Sequence, residues 1–405
     1  MSDRLAHDVR PLFPAIAGER PPVYLDGPAG TQVPQAVIDA VSKSLATANA
    51  NTGGSFASSR RNDAMLADAH RAAADFLNAD SPDEVAFGGN MTTLVMGLSR
   101  ALARTWSPGD VINVTRLDHE ANITPWQLAA RDAGASVRFV DIHPDDCTLD
   151  VDHFRSLLGD RTRLVAVGAA SNAVGTINPI AEMCQAAKDA GAMTFVDAVH
   201  SAPHVLPDVR AIGCDFLACS AYKFFGPHVG MLYARAESEA DLEPYRVRPA
   251  PSRSPGRWMT GTQNFASIAG TLVAIDYLAS LGQGESRRRR LESAYERITA
   301  HERHVFDRLL RGLGDIPGVR VYGITDSSRM AERCPTLAFT HETLAAGEVA
   351  SFLGEQNIYA WSGHYYALTL FETLGLLPDG AVRLGVMHYT SDEDIDRTLE
   401  AIRSL

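Results

Sequence analysis

No apolar run in these 405 residues is long enough to cross a bilayer, and the opening Met1-Ser2-Asp3-Arg4 lacks the apolar stretch of a secretion signal. A cytoplasmic protein is expected. A basic face is missing as well: 49 acidic against 37 basic residues leave a net charge of −12, which argues against nucleic acid or a membrane surface as partner. The one basic run, Arg287 to Arg290, continues through Glu292, Glu296 and Arg297 in a helical pattern and reads as a solvated helix face. Cysteine is scarce. The five thiols (Cys147, Cys184, Cys214, Cys219 and Cys334) form no C-x-x-C pair and no even disulfide framework, so they are expected to be reduced. Neither the phosphate loop G-x-x-x-x-G-K-[ST] nor the dinucleotide fingerprint G-x-G-x-x-G occurs, which lowers nucleotide readings. His200 and His204 have the spacing of two metal ligands on a helix, but Pro203 between them disfavours that helix, and no metal is expected.

The length exceeds one ordinary core and fits a large domain plus a smaller one. Short β-branched runs recur from about residue 85 to 235: Val85 to Phe87, Val111 to Val114, Val137 to Val140, Leu164 to Val167, Thr194 to Val196, Phe216 to Cys219 and Met231 to Tyr233. Helical patterns near 92–104, 125–134, 151–159 and 179–191 fall between them. Strand–helix alternation with nearly all-apolar strands predicts a mostly parallel sheet covered on both faces. Ligands of such sheets gather at the carboxyl ends of the strands. Tyr245 to Arg257, rich in Pro and Arg, reads as an ordered connector or lid. Long helical patterns follow at 263–281 and 286–313, then strands at Val319 to Tyr322, Thr336 to Phe339 and Val382 to Val386, with helices over 344–356 and 391–404. Thr390-Ser-Asp-Glu393 has the form of a capping box for the last helix. There is no internal repeat or low-complexity tract.

Lys223 stands in Ser220-Ala-Tyr-Lys-Phe-Phe-Gly226-Pro-His-Val-Gly230, directly after a strand pattern. Among aromatics and glycines a solvated charge is out of place, and burial lowers an amine's pKa toward the range that Schiff-base chemistry uses. Alone, it could equally be a lysine whose stem snorkels from a strand end. Asp197 closes the run Thr194-Phe-Val196. A carboxylate there could hold the pyridine nitrogen of pyridoxal phosphate protonated, although a helix cap is the plainer use of a lone Asp. Together the two favour a cofactor. Gly88-Gly89-Asn90-Met91-Thr92-Thr93 follows a strand and opens a helix, the setting of a phosphate site and also of an ordinary capped turn. His119, in Leu117-Asp-His-Glu-Ala-Asn122, could stack on a flat cofactor. Asn172, in Ser171-Asn-Ala-Val-Gly-Thr176, could bond a ring hydroxyl. By itself, each of these two is more often a structural turn residue.

Taken in order, these residues resemble the class V aminotransferase family, in its branch of cysteine desulfurases and isopenicillin-N epimerase-like enzymes. The resemblance runs from Tyr24-Leu-Asp-Gly-Pro-Ala-Gly30 through Thr92-Thr93, Asp118-His-Glu-Ala-Asn122, Ser171-Asn-Ala-Val-Gly175, Val196-Asp-Ala-Val-His200, Ser220-Ala-Tyr-Lys223, Thr260-Gly-Thr262 and Gly363-His364 to Arg383. It implies an α/β, fold-type I pyridoxal phosphate-dependent transferase. The large domain, with a mostly parallel seven-stranded sheet, would cover residues 20–265; a smaller α+β domain would combine 1–19 with 266–405. Lys223 would be the Schiff-base lysine and Asp197 the partner of the pyridinium nitrogen. His119 would stack on the ring, Asn172 and His200 would sit near its hydroxyl, and Tyr222 would flank it. Thr92, Thr93 and Ser220 would bind the phosphate, which Thr262 would reach from the second subunit of a homodimer with shared active sites. Arg383 would pair with the carboxylate of an amino-acid substrate, with Ala29 and Gly30 alongside.

The departures matter. Position 200 carries His where the desulfurases often carry Gln, and position 222 carries Tyr where they often carry His. The loop expected to hold the nucleophilic cysteine reads Trp361-Ser-Gly-His-Tyr-Tyr-Ala367, without a thiol; Cys334 is the one other candidate. The expected reaction is therefore β-elimination on an amino acid or cysteine conjugate, a C–S lyase that forms no persulfide. Lys223 would take the Cα proton, and His119, His364, Tyr365 or Tyr366 would protonate the leaving group. Reprotonation at Cα would instead make an epimerase, and at the cofactor's C4′ an aminotransferase. The intact set of Lys223, Asp197 and Arg383 argues against a non-catalytic, cofactor-binding protein.

Overall fold

A computed structural model describes residues 4–18 and 20–405, so the first three residues of the N-terminal start lie outside the described residues. All seven apolar runs become strands of one sheet: β1 (Val85–Gly88), β2 (Val111–Thr115), β3 (Ser136–Val140), β4 (Thr162–Gly168), β5 (Met193–Asp197), β6 (Phe216–Ser220) and β7 (Gly230–Ala234). Their order is β1-β7-β6-β5-β4-β2-β3, and β7 alone runs antiparallel to its neighbours. Strand periodicity explains why most of them read as continuously apolar. Along β6, Phe216 and Ala218 face a core containing Leu98, Leu102 and Trp126, while Leu217 and Cys219 face a second core containing Phe76 and Leu278. Only the edge strand β3 alternates exposed and half-buried positions, with Val140 buried at its end. From β2 the chain turns outward to β3, and from β4 it runs the other way through β5 and β6. The crevice at this switch point opens between the carboxyl ends of β2 and β4, where His119 and Asn172 follow.

A second, antiparallel sheet of four strands has the order β8-β9-β11-β10, with β8 at Val319–Tyr322, β9 at Thr336–His341, β10 at Trp361–Gly363 and β11 at Ala381–Gly385. Leu337, Phe339, Val382 and Leu384 pack it against Leu309 and Leu313 of the long helix Arg287–Gly314 and against Ile395 and Leu399 of the helix Asp392–Arg403. The N-terminal segment joins this half. Val23–Tyr24 pairs in parallel with Ile358–Tyr359, and Asp26 bridges Gly385. A Cβ at Gly385 would lie 2.1 Å from the Pro28 ring, so glycine there lets the Gly27–Ala29 turn press against the end of β11.

Two local expectations need correction. The final helix is capped by Ser391, not Thr390: Ser391 Oγ accepts from Asp394 N–H at 3.2 Å and Asp394 returns a bond to Ser391 N–H at 2.9 Å. The hydroxyl of Thr390 is turned the other way, accepting from Met387 N–H at 3.1 Å. The helix expected to reach residue 159 ends at Ser156. The connector Tyr245 to Arg257 contains no helix or strand. Arg257 ties its end down by donating to the carbonyls of Glu239 and Leu242, while Tyr245 and Val247 stay exposed.

Candidate active site

Lys223 sits in a short turn, Ala221–Lys223, at the end of β6. The turn is fixed from below: Ala221 N–H donates to Val229 O at 2.7 Å, and Phe224 and Phe225 are fully buried beneath it. Phe225 adopts a left-handed φ of 69°, stabilised by its N–H donating to Thr31 Oγ1 at 2.8 Å. The buried amine donates to the carbonyl of Pro28. Burial, reinforced by the charge of Arg383 and opposed by Asp197, pushes the Lys223 pKa down to about 7. Asp197, on the neighbouring strand β5, accepts from Val199 N–H at 2.8 Å. Burial raises its pKa to about 6, against the lowering effects of that bond and of Lys223. An amine and a carboxylic acid with converging pKa values at adjacent strand ends suit proton-transfer chemistry.

Both groups line a cavity of about 700 Å³ together with Thr92, Thr93, His119, Asn172, His200, Ser220 and Tyr222. One end is the N-terminus of the helix Met91–Ala103. Asn90 caps it, Oδ1 accepting from Thr93 N–H at 2.8 Å and from the Thr93 hydroxyl at 3.0 Å. Ser220 Oγ accepts from Met91 N–H at 3.0 Å, which leaves its own proton free to donate. Gly230 permits this close approach, since a Cβ there would lie 2.4 Å from the Asn90 backbone. Deeper in the cavity wall, Asn172 Oδ1 and His200 Nε2 are buried without a hydrogen-bond partner, a costly state unless a ligand supplies one. Thr262 is not part of this cavity. It lines a separate one of about 360 Å³ that shares Thr93 and His228 with the first.

A further cavity, of about 750 Å³, opens on the other side of Lys223 and brings in Ala29, His364, Tyr366 and Arg383. Gly30 lies behind it, where a Cβ would sit 3.4 Å from the Tyr222 ring. Arg383, buried on β11, donates to the Asn172 carbonyl at 2.8 Å and lies 4.4 Å over the Tyr365 ring. Among the described residues it has no ion-pair partner. Burial holds its pKa down at about 10, so it remains a cation available to an anionic ligand. His119 Nδ1 accepts from Ala121 N–H at 2.9 Å, which puts the proton of the neutral ring on Nε2. Burial and the charges of Lys223 and Arg383 lower its pKa to about 4. Its ring stacks on Tyr366, with centroids 5.4 Å apart.

The turn after β10 separates two adjacent tyrosines. Tyr365 and Tyr366 have left-handed φ values of 51° and 60°. The turn is held by Tyr366 O accepting from Glu120 N–H at 2.7 Å and Tyr365 O accepting from Asn172 Nδ2 at 2.9 Å. Tyr365 turns inward and donates its hydroxyl to Ala381 O, whereas Tyr366 is 67% exposed at the cavity. His364 Nδ1 accepts from Tyr366 N–H at 3.2 Å.

Three groups at the site had no role assigned from sequence. Asp118 lines the first cavity, accepts from Gly168 N–H at 2.6 Å and from Asn122 Nδ2 at 3.3 Å, and is raised to about 8 by burial and by Asp197. Asp26 is raised to about 6 by burial and faces the charge of Arg383. The Pro28 carbonyl meets Lys223. Asp118 and Asp26 lie in quoted motifs, but nothing in their spacing marked them out. All five cysteines are buried with raised pKa values, Cys147 at about 11 and Cys184 at about 12, and none lines either cavity at Lys223. Cys334 lines a different cavity beside His204 and Glu302. His204 Nδ1 is bonded to Glu302 Oε2 at 2.9 Å, and among the described residues no three His, Cys, Asp or Glu side chains gather as a metal site.

A mostly parallel sheet whose strand ends present a buried lysine, a buried carboxylate and a capped helix N-terminus defines a fold-type I pyridoxal phosphate enzyme. The unpartnered Asn172 and His200 atoms and the free Ser220 proton suit a flat, polar, phosphorylated ring. The chain belongs to the class V aminotransferase family: the model of that family, described as Aminotransferase class-V, matches residues 23–398. It is a pyridoxal phosphate-dependent enzyme of the cysteine desulfurase type. A cysteine desulfurase of Pectobacterium carotovorum is 32% identical over 98% of this chain and 97% of its own length. An aminotransferase-like protein of Gibberella zeae, FGM3, is 33% identical over 98% and 97%. The apo structure of the cysteine desulfurase from Thermococcus onnurineus superposes with a TM-score of 0.89 at 26% identity, covering 98% of this chain and 97% of that one. No helix among the described residues is long and apolar enough to cross a membrane.

Proposed function

We propose that this enzyme is a lyase that removes the β-substituent of an amino acid or cysteine conjugate without forming a persulfide on the protein. The observation that carries this reading is the turn Ser362 to Ala367: it holds no thiol, and all five cysteines are buried away from the cavities at Lys223. Persulfide formation needs an accessible thiolate, and burial holds these groups as thiols.

Thr92, through its hydroxyl and its N–H, and the Ser220 hydroxyl would hold the phosphate; the N–H groups of Met91 and Thr93 and the Thr93 hydroxyl already donate to Ser220 and Asn90. Asp197 would meet the ring nitrogen, Asn172 and His200 its hydroxyl, and His119 one face, with Tyr222 beside it. Bound there, pyridoxal phosphate supplies an electron sink for charge that develops at the substrate Cα. Arg383 takes the substrate carboxylate, next to Ala29 and Gly30. Lys223, whose pKa near 7 leaves much of it unprotonated at neutral pH, takes the Cα proton. Tyr366, which lines the cavity with Lys223 and Arg383, would give its phenolic proton to the leaving group. Tyr365 is committed to Ala381 O, whereas His364, which accepts a backbone bond on Nδ1 and so carries its proton on Nε2, is the second candidate donor. Overall, a cysteine conjugate and water give pyruvate, ammonia and a thiol. Thr262 would complete the phosphate site of a neighbouring subunit, so the holoenzyme should sediment as a dimer; a stable monomer with full cofactor content would count against that part.

The test is to incubate the holoenzyme with L-cysteine and with cysteine conjugates. Pyruvate and thiol should appear, and intact-mass spectrometry should show no protein-bound persulfide. A persulfide formed at the turnover rate and abolished by Cys334→Ser would overturn the reading, and keto-acid formation with the thioether intact would make the enzyme an aminotransferase.

A further inference from the structure

The substrate-side cavity is much larger than a cysteine side chain, which beyond Cβ is a single sulfur. Its volume of about 750 Å³ lies within the range of sites that enclose drug-sized ligands. Its outer wall is aromatic and apolar. Trp361 pairs with Arg383 across β10 and β11, and directly opposed residues of an antiparallel pair project to the same face. The indole and the guanidinium therefore address one space. Trp106, Trp126 and Trp258 are buried, whereas Trp361 is 53% exposed at this mouth. Tyr366 stands on another side, stacked on His119, with Met96 and Pro125 completing the wall. Large aromatic surface left open to water around a cavity marks a recognition site.

Charge narrows the occupant further. Lys223 and Arg383 are the only lysine and arginine in the lining, and both serve the reacting end of the substrate. The acidic group present is Glu120, whose carboxylate accepts from the Thr124 hydroxyl at 2.7 Å and from that of Thr369 at 3.4 Å. An acidic substituent would face Glu120 with no further lysine or arginine to compensate it.

We infer that the group removed from the substrate is a flat, apolar thiol without negative charge, so that the substrate class is the S-aryl or S-benzyl conjugates of L-cysteine. This rests on the lyase reading above. Trp361 and Tyr366 enclose the aromatic ring, and Glu120 rejects acidic conjugates.

The experiment compares S-benzyl-L-cysteine, L-cysteine and S-carboxymethyl-L-cysteine on the holoenzyme, with dissociation constants from calorimetry and pyruvate release measured separately. S-Benzyl-L-cysteine should bind at least about tenfold more tightly than L-cysteine, a modest return for enclosing an aromatic ring, and the S-carboxymethyl compound should bind weakest. Trp361→Ala should bring the first two within about twofold, and Glu120→Gln should improve the S-carboxymethyl compound relative to the other two. Equal binding of S-benzyl-L-cysteine and L-cysteine overturns the inference. So does a Trp361→Ala protein that sediments as a monomer with its preference unchanged, because Trp361 would then be a subunit contact. Pyruvate from L-cysteine without a preference for the benzyl compound removes the substrate class and leaves the lyase reading standing. Tight benzyl binding with neither pyruvate nor thiol released does the reverse, and no binding of any of the three removes both.

Discussion

The two cavities that meet at Lys223 are built in opposite ways. On the side of Asp197 the wall consists of strand ends and one helix N-terminus, and local backbone bonds such as Asn90 to Thr93 and Asp197 to Val199 set most side chains. Charge is suppressed there: burial favours the neutral forms of Asp118, Asp197, His119 and His200. On the side of Arg383 the wall is a turn that two left-handed tyrosines make costly, by about 1–3 kcal/mol each. It is held by bonds from Asn172 and Glu120, far away in the chain, and it leaves Trp361 and Tyr366 open to solvent. In the proposed reading the first side would hold the cofactor and the second would select what reacts. Chemistry can diverge on the second side without disturbing the first.

Substitutions that act on one side alone test this division. The largest effect is expected at the shared residue. Lys223→Ala should abolish the visible absorption of the holoenzyme and lower turnover by about a thousandfold or more, the scale of losing a positioned proton acceptor. A native protein that stays colourless after addition of pyridoxal phosphate would sink the cofactor assignment altogether. Arg383→Ala should leave the cofactor spectrum in place and weaken substrate binding by on the order of 2–4 kcal/mol, measured by titration. Unchanged affinity in a folded variant would make Arg383 a structural residue, tied to Asn172 O and Tyr365. Tyr366→Phe keeps the ring on His119 and removes only the hydroxyl. Thiol release should fall by about tenfold to a hundredfold with substrate affinity within about twofold. A loss that appears in affinity alone would show that Tyr366 binds and does not donate a proton.

A separate effect, read without the cofactor, is a pH dependence of stability in the cofactor-free protein. The Lys223 pKa is about 7 in the folded chain against an ordinary 10.5. Between those values the unfolded chain binds a proton that the folded one does not, so this group makes stability rise with pH across that window. Lys223→Met has no such group. Its excess stability over wild type should shrink as pH rises from about 7 toward 10, as denaturant titrations would show; a constant difference would mean that the folded lysine is not perturbed.

How much of this was legible beforehand follows the same divide. Seven strands and the residues after the strand ends could be placed because apolar runs have a fixed period and parallel strands must deliver their ligands at one edge, whereas the switch point came only with the strand order. Lys223, Asp197, His119 and Asn172 were readable for that reason. Asp118 was not: its pKa is raised by burial and by Asp197 against the lowering bond from Gly168 N–H, and both residues reach it only through the register of β4 and β5. The cap at Ser391 went to the neighbouring hydroxyl for a similar reason, Thr390 being drawn to Met387.

By itself, then, the sequence determined the sheet, several of the strand-end side chains that share a cavity with Lys223 and the absence of a thiol from the Trp361–Ala367 loop, since each depends on residue type and short-range spacing. Only the tertiary structure decided between Tyr365 and Tyr366. The two are adjacent and chemically identical, and no pattern distinguishes them. Contacts with Asn172, Glu120 and Ala381 hold two left-handed backbone conformations, and these send one phenol under Arg383 and the other to the cavity that Lys223 and Arg383 line.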